Sequence, residues 1–267
     1  MAYDENSCDA EELDYESDIV LKTAFINFGI KYLYPWQRMV IANILEAFDI
    51  KVKKDIKIGD NLNSEVNEDS FLKGKQIVLL PTGAGKSLCF LIPACVLDGI
   101  TLVIYPLLAL MTDQQRRMND GALRSVMFRG GQTKEEREDS FLKLRNGEAK
   151  VIIANPEVLQ NEELLSEIKS LRVSHVAIDE AHCVSEWGDT FRPSYLSLGK
   201  IISELDPPVV TAFTATASPS VLSRISEIIF DGEAHVVRSE ADRQNLHYFD
   251  DFLYYKSYNQ LVFFVFS

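Results

Sequence analysis

Three short stretches carry residue types that could handle a phosphoanhydride and a nucleic acid. The first is Thr82-Gly83-Ala84-Gly85-Lys86-Ser87, between an apolar run at 76–80 and a stretch with helical patterning. Small residues let backbone N–H groups close around phosphate oxygens, and a helix start adds the positive end of its dipole. Lys86 would reach the β- and γ-phosphates of ATP, and the Ser87 hydroxyl would hold Mg²⁺. The strict G-x-x-x-x-G-K-[ST] spacing is not met, because Leu80 stands where the first glycine belongs. A glycine turn with a chance lysine is the plainer alternative; the strand before it and the helix after it argue against that. The second stretch is Asp179-Glu180-Ala181-His182. An acid closing a buried strand is costly unless something binds it. Beside a phosphate loop, Asp179 can hold the Mg²⁺ shell and Glu180 can orient or deprotonate an attacking water. His182 is too isolated to be a metal ligand. It reads either as a structural hydrogen-bonding group or as a link between nucleotide and nucleic-acid sites. In the third stretch, Trp187 and Phe191 offer π-faces to bases at about 1–3 kcal/mol each. Arg192 adds a phosphate contact or a cation–π face. A Trp-Gly turn inside a polar loop does not read as core.

The elements that must position these residues follow from patterning. Apolar, β-branched runs at 76–80, 101–105, 125–128, 151–154, 175–179 and 209–213 alternate with helical stretches near 86–98, 107–119, 133–146, 157–169, 194–205 and 218–229. Such alternation predicts an α/β fold, a mostly parallel sheet with helices on both faces. Ligands in such sheets bind at the carboxyl ends of the strands, where the first two stretches lie. Residues 19–48 read as helical around an aromatic turn at 32–36, and the lysine-rich then polar stretch 49–75 as an inserted loop or weak hairpin.

The chain has 267 residues and a net charge of −13. That charge argues against a nucleic-acid binder at face value. Residues 1–18, however, hold eight acids and no base, which leaves the rest at only −5. This start reads as a solvated, disordered tail. No run of eighteen apolar residues and no basic-then-apolar start is present, so neither a membrane span nor a secretory signal is expected. Cys8, Cys89, Cys95 and Cys183 form no CxxC pair, and reduced thiols in a cytoplasmic protein (nucleoid-associated if bacterial) are the simple reading. The apolar, aromatic end at 251–267 reads as a truncated or non-native tail.

The motifs together resemble the first motor lobe of a RecQ-type superfamily 2 DNA helicase over roughly residues 19–250. Leu80–Phe90 resembles motif I, Tyr105–Gln114 motif Ia, Asn155-Pro156-Glu157 motif Ib, Asp179–His182 motif II and Thr211–Ala217 motif III. Arg243–Leu246 is similar to the segment that leaves this lobe. Cys183–Tyr195 resembles the aromatic-rich loop that couples single-stranded DNA to ATP hydrolysis. Phe28–Gln37 resembles the adenine-reading motif, in which Gln37 would grip the adenine edge with both amide groups. Two departures bear on function. Asp189-Thr190 replaces the family's His-Asp, which implies altered DNA stimulation, and Leu33-Tyr34 replaces Phe-Arg, which puts adenine selectivity in doubt.

The resemblance implies a RecA-like P-loop NTPase lobe that binds ATP and Mg²⁺. It also implies 3′→5′ unwinding of single-stranded/duplex DNA in repair or recombination. A second RecA-like lobe, in cis or in trans, would supply a transition-state arginine. Such fingers are worth roughly 10³–10⁵ in rate, so this lobe alone should bind ATP weakly and hydrolyse it poorly. A non-catalytic ATP/single-stranded-DNA-binding module is the main alternative. An RNA helicase is a third reading, against which the aromatic-rich loop speaks. A P-loop small-molecule kinase is a fourth, disfavoured by the coexistence of the motifs.

Overall fold

The structure, a computed structural model, describes residues 18–57, 73–121, 123–187 and 192–238. Cys8, Phe191, the Asp189-Thr190 departure, the segment 243–246 and the tail 251–267 lie outside the described residues, as does the middle of the 49–75 stretch. Six strands fall on the apolar runs. They are β1 (Lys75–Leu79), β2 (Ile100–Ile104), β3 (Ser125–Phe128), β4 (Val151–Ala154), β5 (Val173–Ile178) and β6 (Val209–Thr214). A seventh, β7 (His235–Arg238), completes one sheet of order β3-β4-β2-β5-β6-β1-β7. Every pairing is parallel. The fold is therefore α/β with the expected parallel sheet. No described helix is long and apolar enough to cross a membrane.

The strands read as unbroken apolar runs because both faces are covered. Alternate residues divide between two cores: Ile77, Leu102, Ile104, Val176 and Ile178 face one side. Val78, Val103, Ala177 and Phe213 face the other. Four helices close the first core: α5 (Lys134–Arg145), α6 (Glu162–Ser170), α8 (Leu198–Leu205) and α9 (Pro219–Phe230). The second is closed by α2 (Pro35–Lys57), α3 (Lys86–Val96) and α4 (Leu108–Asp120). Phe90 of α3 meets Phe213 of β6 with ring centroids 5.3 Å apart, which anchors the helix that follows the phosphate loop. The short α7 (Cys183–Trp187) leaves the end of β5.

Three sequence expectations change. Helix α2 continues to Lys57, so the stretch at 49–75 begins as helix rather than as loop. The helix expected at 157–169 is a 3₁₀ turn, Val158–Gln160, followed by α6. The break falls at Asn161, whose side chain accepts the N–H of Leu164 at 2.8 Å and starts the helix afresh. Asp18, counted in the acidic tail, caps α1 (Ile19–Phe28) instead, accepting from Val20 and Leu21 N–H at 3.0 and 2.9 Å. Its other oxygen takes Arg38 at 2.5 Å and ties α1 to α2.

Candidate active site at the carboxyl edge of the sheet

The phosphate loop leaves β1 through Leu80, whose N–H bonds the carbonyl of Thr214 at 3.1 Å. Thr82, Gly83 and Ala84 then turn the chain into α3, and the N–H of Ala84 closes onto Pro81 O at 3.1 Å. Gly83 and Gly85 have φ of 83° and 74°, the left-handed region that a residue with a Cβ resists. At Gly85 a Cβ would also lie 2.5 Å from Gln37 Nε2. Gly85 caps α3 without a side-chain acceptor, so the first N–H groups of the helix, those of Lys86 and Ser87 among them, have no capping side chain. Such a terminus suits an anion.

Gln37 sits behind this loop, only 2% exposed. Its Oε1 accepts the N–H of Tyr34 at 2.9 Å, and its Nε2 donates to Ala84 O at 3.1 Å and to Gly85 O at 3.4 Å. Both amide groups are thus engaged with backbone. In this arrangement Gln37 braces the phosphate loop. Beside it Tyr34 stacks on Trp36, centroids 4.5 Å apart and planes 6° from parallel, with Tyr32 edge-on to Tyr34 at 5.6 Å.

The acidic pair stands at the end of β5. Its backbone is pinned on both sides: Asp179 N–H donates to Ile104 O at 2.9 Å and Ala181 N–H to Phe213 O at 2.8 Å. Glu180 between them has φ of 50°, a strained conformation for a side-chain-bearing residue. Its carboxylate lies 3.8 Å from Lys86 Nζ through one oxygen and 3.4 Å from His182 Nδ1 through the other. His182 Nδ1 is also 3.1 Å from Thr214 Oγ1. The Thr214 hydroxyl donates its single proton to Thr216 O at 2.9 Å, so it accepts from His182, and Nδ1 carries the imidazole proton. Lys86, Glu180, His182 and Thr214 therefore form one chain from the phosphate loop to the end of β6. The sequence reading quoted Thr214 within a motif but did not single it out. A hydroxyl closing a buried apolar strand was the available signal.

Burial pushes the carboxyl of Asp179 up to about 6; the Glu180 charge adds to this, and Lys86 and the Glu180 N–H oppose it. Among the described residues this carboxyl accepts one hydrogen bond, from that N–H, at 3.0 Å. Among the described residues the buried hydroxyl of Tyr105 has no hydrogen-bond partner, and burial, with the nearby Asp179 charge, raises its pKa. An under-compensated buried acid beside an orphaned hydroxyl fits a hydrated cation. Among the described residues no three His, Cys, Asp or Glu side chains converge as a metal cage. One carboxylate, the Ser87 hydroxyl and phosphate oxygens are the usual donor set for Mg²⁺.

Arg192 is placed differently from expectation. It donates to the carbonyl of Pro106, and its Nε lies 3.4 Å from Glu157 Oε1. That same oxygen accepts from Ser194 Oγ at 2.9 Å. The guanidinium is committed to holding the 106, 157 and 192–194 segments together rather than presented for a phosphate. Trp187 ends α7, and its side chain, like Phe191, lies outside the described residues.

Comparison with known proteins fits this geometry. The sequence is 41% identical over 172 residues to ATP-dependent DNA helicase Q-like 5 of Arabidopsis thaliana. It is 37% identical over 169 residues to ATP-dependent DNA helicase RecQ of Bacillus subtilis, and 33% over 253 residues to ATP-dependent helicase SGS1 of Saccharomyces cerevisiae. These alignments cover 63%, 63% and 89% of this chain but 19%, 29% and 17% of the relatives, so the chain spans less than a third of their length. Among solved structures, DUF1998 helicase MrfA bound to DNA and AMPPNP matches with a TM-score of 0.56 at 21% identity, over 83% of this chain and 29% of that one. The Pyrococcus furiosus Hef helicase domain matches at 0.50 and 23%, over 62% and 35%. At such identities the likeness speaks for the fold, a RecA-like lobe. Residues 34–225 match the DEAD/DEAH box helicase family. With the phosphate loop and the acidic motif at the ends of β1 and β5, the two strands that flank β6, inside that span, the chain belongs to the DEAD/DEAH box helicases.

Proposed function

We propose that this chain is the ATP-binding motor lobe of a RecQ-type DNA helicase that moves 3′→5′ and acts in repair or recombination. The observation that carries the reading is the Lys86–Glu180–His182–Thr214 chain at the carboxyl edge of the sheet. Loop N–H groups and Lys86 would meet the phosphates. Ser87 and Asp179 would hold Mg²⁺, which when bound offsets phosphate charge. Glu180, fixed by Lys86 and His182, would align a water on the γ-phosphorus and take its proton. The bond from the γ-phosphorus to its bridging oxygen then breaks, giving ADP and phosphate. Gln37 would act through the loop it braces.

The DNA part of the reading rests on the curated relatives and on the residue types Trp187 and Phe191, which suit base stacking. Arg192 would then position that loop rather than touch DNA. Full turnover would need a second RecA-like lobe, in cis or in trans, closing over the nucleotide. The test is Mg²⁺-dependent ADP binding and ATP hydrolysis with and without single-stranded DNA, parent against Lys86→Ala. The expected result is binding by the parent and at least a tenfold weaker affinity in the variant. Equal affinity and equal turnover in the two proteins would overturn the assignment.

A further inference from the structure

We infer that the groove between α5 and α6 is a docking site for a partner-protein segment in which one acidic side chain is flanked by basic ones, with the acid seated on Arg137. The groove stands apart from the nucleotide site. Helices α5 and α6 follow β3 and β4, which lie beyond β2 from the strand that ends at Asp179. They also cover the face of the sheet opposite the one packed by α3.

The groove is a cleft of about 620 Å³. On α5, Lys134, Arg137, Glu138, Phe141 and Arg145 recur at helical spacing and line it as one stripe. Helix α6 adds Glu163 and Glu167. Two of the three cations are already engaged. Lys134 Nζ is 3.8 Å from Glu138 Oε1. Arg145 Nη2 is 3.3 Å from Glu167 Oε2, and its guanidinium carbon lies 5.5 Å from the centre of the Phe141 ring. Arg137 differs. Among the described residues its guanidinium has no carboxylate at ion-pair distance, and its Nε–H is buried without an acceptor. The neighbouring amide of Gln132 is held by backbone at both ends, accepting from Arg129 N–H at 2.8 Å and donating to Met127 O at 2.9 Å.

A charged donor kept from water with its bond unmade is costly, and an arriving acceptor recovers that cost. The Nε–H and a terminal N–H of a guanidinium lie side by side, so a carboxylate takes both in parallel bonds. The acids that share the cleft select the rest of the ligand. Glu138, Glu163 and Glu167 repel a run of negative charge, whereas a lone carboxylate with a basic residue on either side meets opposite charge along the groove. The net charge of −13 adds to the rejection of a polyanion such as nucleic acid. A cleft of this size matches the range of about 300–1,000 Å³ for sites that hold several linked groups, so a single inorganic anion would underfill it. Phe141 and Leu164 are buried in its wall and suit the aliphatic stems of lysine or arginine.

The test is an NMR titration of the full, isotope-labelled chain with the end-blocked peptide Lys-Asp-Lys, followed through the Arg137 Nε–H resonance. That resonance is assigned by its loss in Arg137→Gln. The expected result is a saturable shift with Lys-Asp-Lys and at least roughly tenfold weaker binding of Lys-Asn-Lys. Arg137→Gln, followed through the backbone amides of α5 and α6, should lose Lys-Asp-Lys affinity by a similar factor. Its melting temperature should equal or exceed that of the parent, because an unpaired charge has been removed, and its Mg²⁺-dependent ADP binding should be unchanged. No shift with millimolar Lys-Asp-Lys, or equal binding of the two peptides, overturns the inference. So does inorganic phosphate or single-stranded oligothymidine moving the Nε–H resonance at lower concentration than the peptide. A lower melting temperature in Arg137→Gln overturns it as well, since the guanidinium would then already be committed within the fold.

Discussion

Replacing Asp179 by Asn should make the ligand-free protein more stable at neutral pH, not less. The carboxyl titrates at about 6 in the fold against an ordinary 3.8, because it is buried beside Glu180. At about 1.4 kcal/mol per tenfold change in proton affinity, keeping it ionised at neutral pH costs the fold ~3 kcal/mol. The amide carries no charge and can still accept the Glu180 N–H through its oxygen, so it escapes this cost and the repulsion from Glu180. For a chain of this size, about 2–4 °C accompanies each kcal/mol, so the melting temperature should rise by roughly 6–12 °C. The pH dependence carries a sign. The folded chain holds the proton more tightly than the unfolded chain, so the Asp179 contribution is fully present below about pH 4. It is lost as pH rises toward the folded value of about 6 and is constant above it. The assay is thermal denaturation of parent and Asp179→Asn from pH 4.5 to 8, without nucleotide or divalent ions. The two curves should approach each other at the acid end, separate between about pH 4 and 6, and keep a constant gap above pH 6. A gap that does not change between pH 4.5 and 6, or a variant less stable than the parent at pH 7.5, would refute the reasoning. Adding Mg²⁺ and ADP should reverse the order, because only the carboxylate can use the cation.

Other outcomes follow from single contacts. Asp18→Ala should cost roughly 1–2 kcal/mol in denaturant unfolding, because the cap of α1 and the Arg38 pair are lost together. Burial works to raise the Asp18 carboxyl, but the Leu21 N–H and Arg38 outweigh it and hold it below the usual range. The advantage of the parent should therefore fade only as pH falls below the ordinary carboxylate range, and a gap unchanged in acid would contradict this. Glu157→Ala takes one partner from each of Arg192 and Ser194 and should cost roughly 1–3 kcal/mol, with Glu157→Gln recovering part of it; equal unfolding midpoints in all three proteins would remove the clamp from the argument. Trp187→Ala should weaken single-stranded DNA binding by roughly 5- to 150-fold if a base stacks there, read by fluorescence anisotropy with labelled oligothymidine. Equal affinities would count against the stacking role.

What the sequence makes legible depends on whether a residue's type or its partner decides its place. Six strands are readable because a parallel sheet buried on both faces needs runs such as those of β2 and β5, every residue of which is buried. Strand β7 is missed because only Val237 of its four residues is buried, so edge placement leaves no apolar run. The lysines after residue 50 read as loop, yet α2 carries on through them, since lysine is a good helix former. Lys86 and Asp179 are readable because a phosphate loop and a strand-end acid are defined by type and spacing. Gln37 and Arg192 are not, because their roles are set by carbonyls 47 and 86 residues away. An arginine in an aromatic loop looks like a phosphate contact until the Pro106 carbonyl and Glu157 are seen against it.

The strain at Glu180 gains meaning from its surroundings. A side-chain-bearing residue at φ of 50° costs on the order of 1–3 kcal/mol, and it persists because the N–H groups on either side are fixed to β2 and β6. That pinning aims one carboxylate at Lys86 and the His182 ring at once. The orientation of His182 is in turn set by a hydroxyl with one proton, already given to Thr216. A shift of residues 214–216 must therefore either break the Thr214–His182 bond or drag the ring with it, and the ring bears on the carboxylate that faces Lys86. Thr214→Val tests this directly. It keeps the shape of the strand end but frees His182 to reorient or change tautomer. It should lower hydrolysis while leaving ADP affinity within about twofold, since Lys86 and the loop are untouched. If hydrolysis and its DNA stimulation match the parent, the end of β6 does not communicate with Glu180 through His182.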